Sequence, residues 1–244
     1  MKLENNKILI TGATSGIGRA LAERFCHLDN QIIAVGRNEM RLKELAKFDN
    51  RITSFKCDIS SQSELERLVA YINQEHKDLN VLINNAGIQY NQTLLDETYT
   101  LQQIENEITT NLTSPIKLIA SLIPILQNNS NSAIVNVSSG LAIVPKARSA
   151  VYCGTKAAIH IFSKSLRYQL DNVKVFEIIP PLVNTEMTKG RGKGKISPQR
   201  LVGEFVKAFK NNRYEVNIHK VKLLRIINRI SPKIADRIMK GVTI

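Results

Sequence analysis

The 244-residue chain has no tryptophan, three cysteines, four histidines and no apolar run long enough to cross a bilayer. Each shortage excludes something. Cys26, Cys57 and Cys153 show no paired spacing, so a disulfide framework is not indicated, and free cysteines acting as small hydrophobes suit a reducing compartment. His27, His76, His160 and His219 stand far apart, none at ligand spacing from a cysteine, so no metal site is expected. The longest apolar stretch, 116–126, is broken by Lys117 and Pro124 and falls short of the roughly 20 residues a spanning helix needs. The chain passes from Met1-Lys2 into polar residues without a signal-peptide core, which makes a cytoplasmic location the expectation. Aromatic residues are only 5% of the chain. No stacking pattern accompanies the basic charge, and nucleic acid is not an expected partner.

What is present suits one globular domain over residues 1–244, with 43% hydrophobic residues to supply its core. Charge is distributed unevenly. The net charge is +13, yet residues 189–244 hold 15 basic and 3 acidic residues, a net of +12, which leaves +1 for the first 188. Short apolar runs at 7–10, 31–35, 52–57, 81–83, 133–137 and 173–179 read as strands. Longer periodic stretches at 17–28, 38–47, 61–75, 101–126 and 150–170 read as helices. Ser61-x-x-Glu64 has the pattern of a capping box. Strand–helix alternation on this scale predicts an α/β fold, a doubly wound parallel sheet covered by helices on both faces. Residues 189–197, where glycine alternates with Lys and Arg, read as a mobile basic loop.

Four segments carry chemistry. Thr11-Gly12-Ala13-Thr14-Ser15-Gly16-Ile17-Gly18 follows the first strand and opens the first helix. Glycines there allow a tight turn and let backbone N–H groups meet a pyrophosphate at the positive helix end. The second strand ends in Gly36-Arg37. An acid at that place would accept ribose hydroxyls, whereas a guanidinium pairs with a 2′-phosphate, so NADP(H) is expected ahead of NAD(H). Asn84-Asn85-Ala86-Gly87 closes the fourth strand, at the sheet edge where open α/β sheets bind ligands.

Ser138-Ser139 ends a strand, and Tyr152 and Lys156 lie four apart, on one face of a helix. An ammonium ~4 Å from a phenol contributes about 4 kcal/mol at an effective dielectric of 20, or roughly three pKa units. That predicts a Tyr152 phenol near neutrality, able to give and take a proton beside a serine that polarises a carbonyl.

Together these residues, in this order from about 7 to 185, resemble the short-chain dehydrogenase/reductase family. The resemblance implies a Rossmann-like fold and hydride transfer between NADP(H) and a carbonyl or secondary alcohol. It implies a tetrad of Asn111, Ser139, Tyr152 and Lys156, with Ser139 chosen over Ser138 because the family places its serine thirteen positions before the tyrosine. Lys156 would also hold the nicotinamide ribose, and Asn111 would anchor a water relay to it. Asp58, in Cys57-Asp58-Ile59, is similar to the family's adenine contact, with Ile59 beside it. Pro180-Pro181-Leu182-Val183-Asn184-Thr185 is similar to its Pro-Gly-x-Val-x-Thr, so Pro180, Val183 and Thr185 are expected at the nicotinamide. Proline at 181 replaces the usual glycine and removes any backbone donation there. A homodimer or homotetramer is likewise implied. The segments around Ser139 and Tyr152 look like a bacterial branch, some of whose members accompany lipoteichoic-acid D-alanylation genes.

The extension 220–241 interleaves Val221, Leu224, Ile227, Ile230, Ile234 and Ile238 with five Lys or Arg, and Pro232 splits it into two short helices. One alternative is a packed helix face with a solvated basic side. Others are weak contact with an anionic membrane surface, and a basic frame for an acidic substrate. Two rival functions stay open beside the small-molecule oxidoreductase: a non-catalytic dinucleotide sensor or scaffold, and a membrane-surface reductase of lipid-like compounds.

Overall fold

A computed structural model describes residues 1–240. Residue 241, the last of the expected extension, lies outside the described residues. Seven parallel strands form one sheet in the order β3-β2-β1-β4-β5-β6-β7. They are β1 (Lys7–Thr11), β2 (Gln31–Gly36), β3 (Ile52–Lys56), β4 (Val81–Asn84), β5 (Ser132–Val137), β6 (Val173–Ile179) and β7 (Glu215–Asn217). The order turns back at β1 and β4, where the crossovers leave for opposite sides and a crevice opens beyond the strands' carboxyl ends.

Alternation along each strand builds two cores. Ile8 and Ile10 of β1, Val81 and Ile83 of β4, and Phe176 and Ile178 of β6 point to one face. Leu9, Leu82 and Val175 point to the other. α1 (Gly16–Cys26) and α7 (Pro198–Lys210) cover the first face, where Phe25 meets Phe205 and Phe209 edge-on at 6.3 and 5.7 Å. α3 (Gln62–Glu75), α5 (Ser114–Asn128) and α6 (Ala150–Gln169) cover the second. α2 (Glu39–Ala46) lines the edge beside β3. Burying each large side chain contributes about 1.5–3 kcal/mol, which fixes the register of the whole sheet.

The structure amends the sequence reading in several places. The expected helix 101–126 is α4 (Leu101–Ile108), one wide π-turn (Thr109–Thr113) and then α5. The expected capping box is half made: Ser61 accepts from the Glu64 N–H, but the Glu64 carboxylate reaches past the cap to the N–H of Asp58 at 2.9 Å. β7 and α7 have no counterpart in the sequence reading, β7 being three residues long with Val216 alone buried.

Pro232 does divide the extension, into α8 (Lys220–Ile230) and α9 (Pro232–Lys240). Val221 and Leu224 pack toward the turn at Gly140, and Val221 and Ala235 are the buried residues of these two helices. Leu223, Ile226, Ile230, Ile234 and Ile238 remain exposed. No helix among the described residues is long and apolar enough to cross a membrane.

Candidate active site

A groove of 360 Å³ runs along the carboxyl edge of the sheet, with residues of the Thr11–Gly18 turn at its centre. The turn is built for close approach. Gly12 and Gly16 have φ of +67° and +55°, which favour glycine. A Cβ on Gly12 would stand 2.8 Å from the Ala86 Cα, and one on Gly18 would stand 2.1 Å from the Gly12 carbonyl oxygen. The Thr11 hydroxyl accepts from the N–H groups of Asn85 and Ala86, both at 3.1 Å, and the Asn85 amide donates to the carbonyls of Thr11 and Gly12. Thus β1 and β4 are laced together at the point where the crevice opens. Ser15 caps α1 without a side-chain hydrogen bond, and no acid lies in the first turn, so the helix N-terminus keeps its positive end uncompensated. These features fit a dinucleotide's pyrophosphate.

At one end of the groove, Thr14, Arg37, Asp58 and Ile59 line the wall, joined by Arg41. The Arg37 guanidinium lies 3.6 Å from the Asp58 carboxylate. Arg41 forms a two-pronged pair with Glu186 at 2.7 and 2.8 Å, a bond that straps α2 to the segment after β6 across the groove. Neither Arg41 nor Glu186 was among the expected site residues, although Arg41 follows Arg37 by one helical turn. Asn85, Ala86, Gly87, Pro180 and Thr185 continue the lining. Two of the expected cofactor contacts lie behind it. Gly18 is buried against the turn, where its role is packing, and Val183 is directed into the first core beside Ile196.

At the other end, Tyr152 and Lys156 border the groove, both buried. The Lys156 Nζ donates to the Val137 carbonyl at 2.8 Å and lies 5.6 Å from the centre of the Tyr152 ring. The expected acidified phenol is not what this arrangement gives. Burial pushes Tyr152 up to about 12, with the Ser139 hydroxyl pulling the other way. Burial also brings Lys156 down to about 8, against the carboxylates of Glu177 and Glu107. Desolvation outweighs the ammonium because that ammonium is turned to a backbone carbonyl.

Of the two serines, Ser139 adjoins the phenol, whereas the Ser138 hydroxyl is committed to the buried Glu177 carboxylate. Asn111 sits in the π-turn. Its amide clamps both backbone groups of Ile88 at 2.8 Å and reaches Thr155 at 3.3 Å, so it makes no direct contact with Lys156. A Cβ on Gly87 would stand 3.1 Å from the Asn111 Oδ1 and 3.6 Å from the Lys156 Nζ, and glycine there keeps the three together.

Two buried carboxylates were also missed. Glu107 accepts from the Tyr90 N–H at 3.1 Å and the Tyr99 hydroxyl at 2.9 Å, and burial raises its pKa. Glu177 meets His160 Nδ1 at 2.8 Å and raises the pKa of that imidazole. An acid inside the apolar run Val-Lys-Val-Phe-Glu-Ile-Ile was the available signal for Glu177. Among the described residues no cluster of metal-ligating side chains occurs.

Comparison with known proteins agrees with this geometry. The chain is 40% identical to the uncharacterized oxidoreductase DltE of Bacillus subtilis (strain 168) over 237 residues, 94% of each chain. It is 31% identical to the NADP-dependent 3-hydroxy acid dehydrogenase YdfG of Salmonella typhi over 191 residues, 77% of each. Among solved structures, a short chain dehydrogenase from Burkholderia cenocepacia J2315 in complex with NADP superposes with a TM-score of 0.88. It covers 98% of this chain and 99% of that one, at 24% identity. The pattern of the family described as short chain dehydrogenase matches residues 6–195. The chain is therefore an enzyme of the short-chain dehydrogenase/reductase family.

Proposed function

We propose that the protein is an NADP(H)-dependent oxidoreductase that reduces a carbonyl, or oxidises the corresponding secondary alcohol, with Tyr152 as general acid or base. The observation that carries this reading is the meeting of Tyr152 and Lys156 at one end of a glycine-lined groove, with the Ser139 hydroxyl against the phenol. The dinucleotide, when bound, supplies or takes the hydride. Gly12 to Ile17 and the α1 N-terminus would hold its pyrophosphate, and Asp58 and Ile59 its adenine. Arg37 and Arg41 would meet a 2′-phosphate, which supports NADP(H) ahead of NAD(H). The NADP-dependent relative YdfG agrees with that order.

In reduction, Ser139 donates a hydrogen bond to the substrate oxygen, and Tyr152 delivers a proton to the oxygen as it becomes an alkoxide. A phenol at about 12 is fully protonated at neutral pH. It remains a far stronger acid than an alcohol, whose pKa is close to the ~15.7 of water. Lys156, protonated below about 8, supports the phenolate left behind. Asn111 fixes the Ile88 backbone and, through Thr155, the helix carrying Tyr152.

A dinucleotide sensor would gain nothing from burying a phenol beside an ammonium at this desolvation cost. Replacing Tyr152 by Phe is expected to reduce turnover of a carbonyl panel about 10²–10⁴-fold while NADPH binding, read by fluorescence, stays within about threefold. Full activity in that variant would remove the phenol from the mechanism.

One observation favours a second reading, that of a reductase working at a membrane surface. The exposed stripe Leu223, Ile226, Ile230, Ile234 and Ile238 is flanked by Lys222, Arg229, Lys233 and Arg237, a combination suited to anionic lipid. Co-sedimentation with anionic vesicles, lost when Ile226 and Ile230 are both changed to Ser, is its expected signature.

A further inference from the structure

Resting on the carbonyl chemistry above, we propose that the substrate carries a carboxylate and that Lys146 and Arg191 receive it at the mouth of the reaction end. Lys146 lies between the Gly140–Ala142 turn and α6, and Arg191 lies in the loop after β6. The segment after β4 brackets both. Gln89 Oε1 accepts from the Arg191 guanidinium at 2.8 Å, and Asn91 Oδ1 accepts from the Lys146 ammonium at 2.7 Å. Both acceptors are neutral amides, which aim a cation without cancelling its charge.

Other cations of the site are treated differently. Arg148, two residues on, meets the Asp96 carboxylate at 2.9 Å, and Arg41 is paired with Glu186. Among the described residues, neither Lys146 nor Arg191 has a carboxylate partner.

Their placement connects them with the chemistry. Gln89, which holds Arg191, follows Ile88 in the groove lining, and Asn91, which holds Lys146, also accepts from the hydroxyl of Ser149 at 3.3 Å, the residue that opens the helix carrying Tyr152. Lys146 and Arg191 also act on each other. Lys146 is half-buried, and its pKa is lowered first by burial and then by Arg191. Two like charges near one another, partly out of water, are unfavourable alone and become favourable with an anion between them.

The loop is shaped for this. Gly190, Gly192 and Gly194 all take positive φ, +74°, +56° and +71°. Those turns let Arg191 face inward, half-buried, while Lys189 and Lys193 stay exposed. With one Nη1 spent on Gln89, the guanidinium keeps donors for a carboxylate's two oxygens, and the Lys146 ammonium adds a compact second charge.

The test compares one carbonyl in two forms, an oxo acid and its methyl ester, with the full-length enzyme and NADPH. The wild type is expected to favour the acid. Arg191→Met and Lys146→Met are each expected to lower the acid-to-ester ratio of kcat/KM about tenfold or more, chiefly through the KM of the acid, and Arg191→Lys to recover part of it. Equal losses on acid and ester, or a wild type indifferent to the charge, would overturn the carboxylate assignment and leave the carbonyl chemistry standing. If no carbonyl in the panel is turned over, the chemistry itself falls. The anion site is then judged by thermal shift with a non-reacting dicarboxylate such as malonate. Stabilisation that disappears in Arg191→Met supports the site, and its absence from the wild type refutes it.

Discussion

The two ends of the groove are built from opposite materials. The nucleotide end is made of backbone: glycines without Cβ atoms, an unblocked helix N-terminus, and a threonine hydroxyl lacing two strands. The reaction end is made of buried charge, with Lys156, Glu107 and Glu177 all inside and Tyr152 buried near Lys156 and Glu107. A dinucleotide needs close approach and fixed dipoles, which main chain supplies cheaply. Proton transfer needs groups whose ionisation is shifted, and burial, neighbouring charges and hydrogen bonds shift them. Mutations should therefore separate the ends, affecting binding at one and turnover at the other.

The largest separation is expected from Lys156→Met. Removing the cation that supports a phenolate should cost about 10²–10³-fold in kcat, the size seen when one preorganised stabiliser is lost. Because Lys156 would also hold the nicotinamide ribose, NADPH binding should weaken, but by much less than kcat falls. A kcat unchanged within threefold would break the contrast.

Arg37→Ala should act at the other end, weakening NADPH about 10–100-fold, as loss of one charged hydrogen-bonding partner worth about 1.5–3 kcal/mol requires. NADH affinity should stay within threefold, and titration of both dinucleotides measures it. Equal weakening of the two would remove Arg37 from the 2′-phosphate.

Gly18→Ala should destabilise the fold by about 1–3 kcal/mol, since a methyl 2.1 Å from the Gly12 carbonyl must push the turn away. For a chain of this size that is roughly 2–12 °C in Tm, read by calorimetry.

The same division decides what was legible in the sequence. Glycines of the nucleotide end lie within eight consecutive residues, because a turn is a local structure, and Thr11 to Gly18 can be read without coordinates. The parallel sheet was equally open, since Ile8, Leu9 and Ile10 alternate between two cores. The reaction end joins residues distant in the chain. Glu107 meets Tyr90 across 17 positions, Ser138 meets Glu177 across 39 and Arg191 meets Gln89 across 102. No window contains such pairs. The π-turn that sets Asn111 against Ile88 was hidden for another reason: one wide turn leaves the surrounding apolar periodicity nearly intact. The phenol's pKa was misjudged because spacing placed Lys156 on the right face but could not show its ammonium aimed at Val137.

The smallest and most discriminating effect is expected from Glu177→Gln. Glu177 lies on the β6 face toward α6, where its carboxylate accepts from Ser138 and pairs with His160, and its charge also raises the pKa of Lys156. Neutralising it should let Lys156 fall below about 8. The alkaline limb of the kcat profile, where the ammonium is lost, should then move to lower pH. His160 gives a second readout. Its folded pKa stands above the ordinary 6.5, chiefly through the hydrogen bond to Glu177. The stability this adds is therefore complete below about 6.5 and is lost as pH rises through the folded value. The difference in Tm between wild type and Glu177→Gln should shrink across that interval, leaving at high pH only the packing cost of the amide. A limb that stays in place while Tm falls equally at every pH would make Glu177 a structural acid and confine the tuning of Lys156 to burial and Glu107.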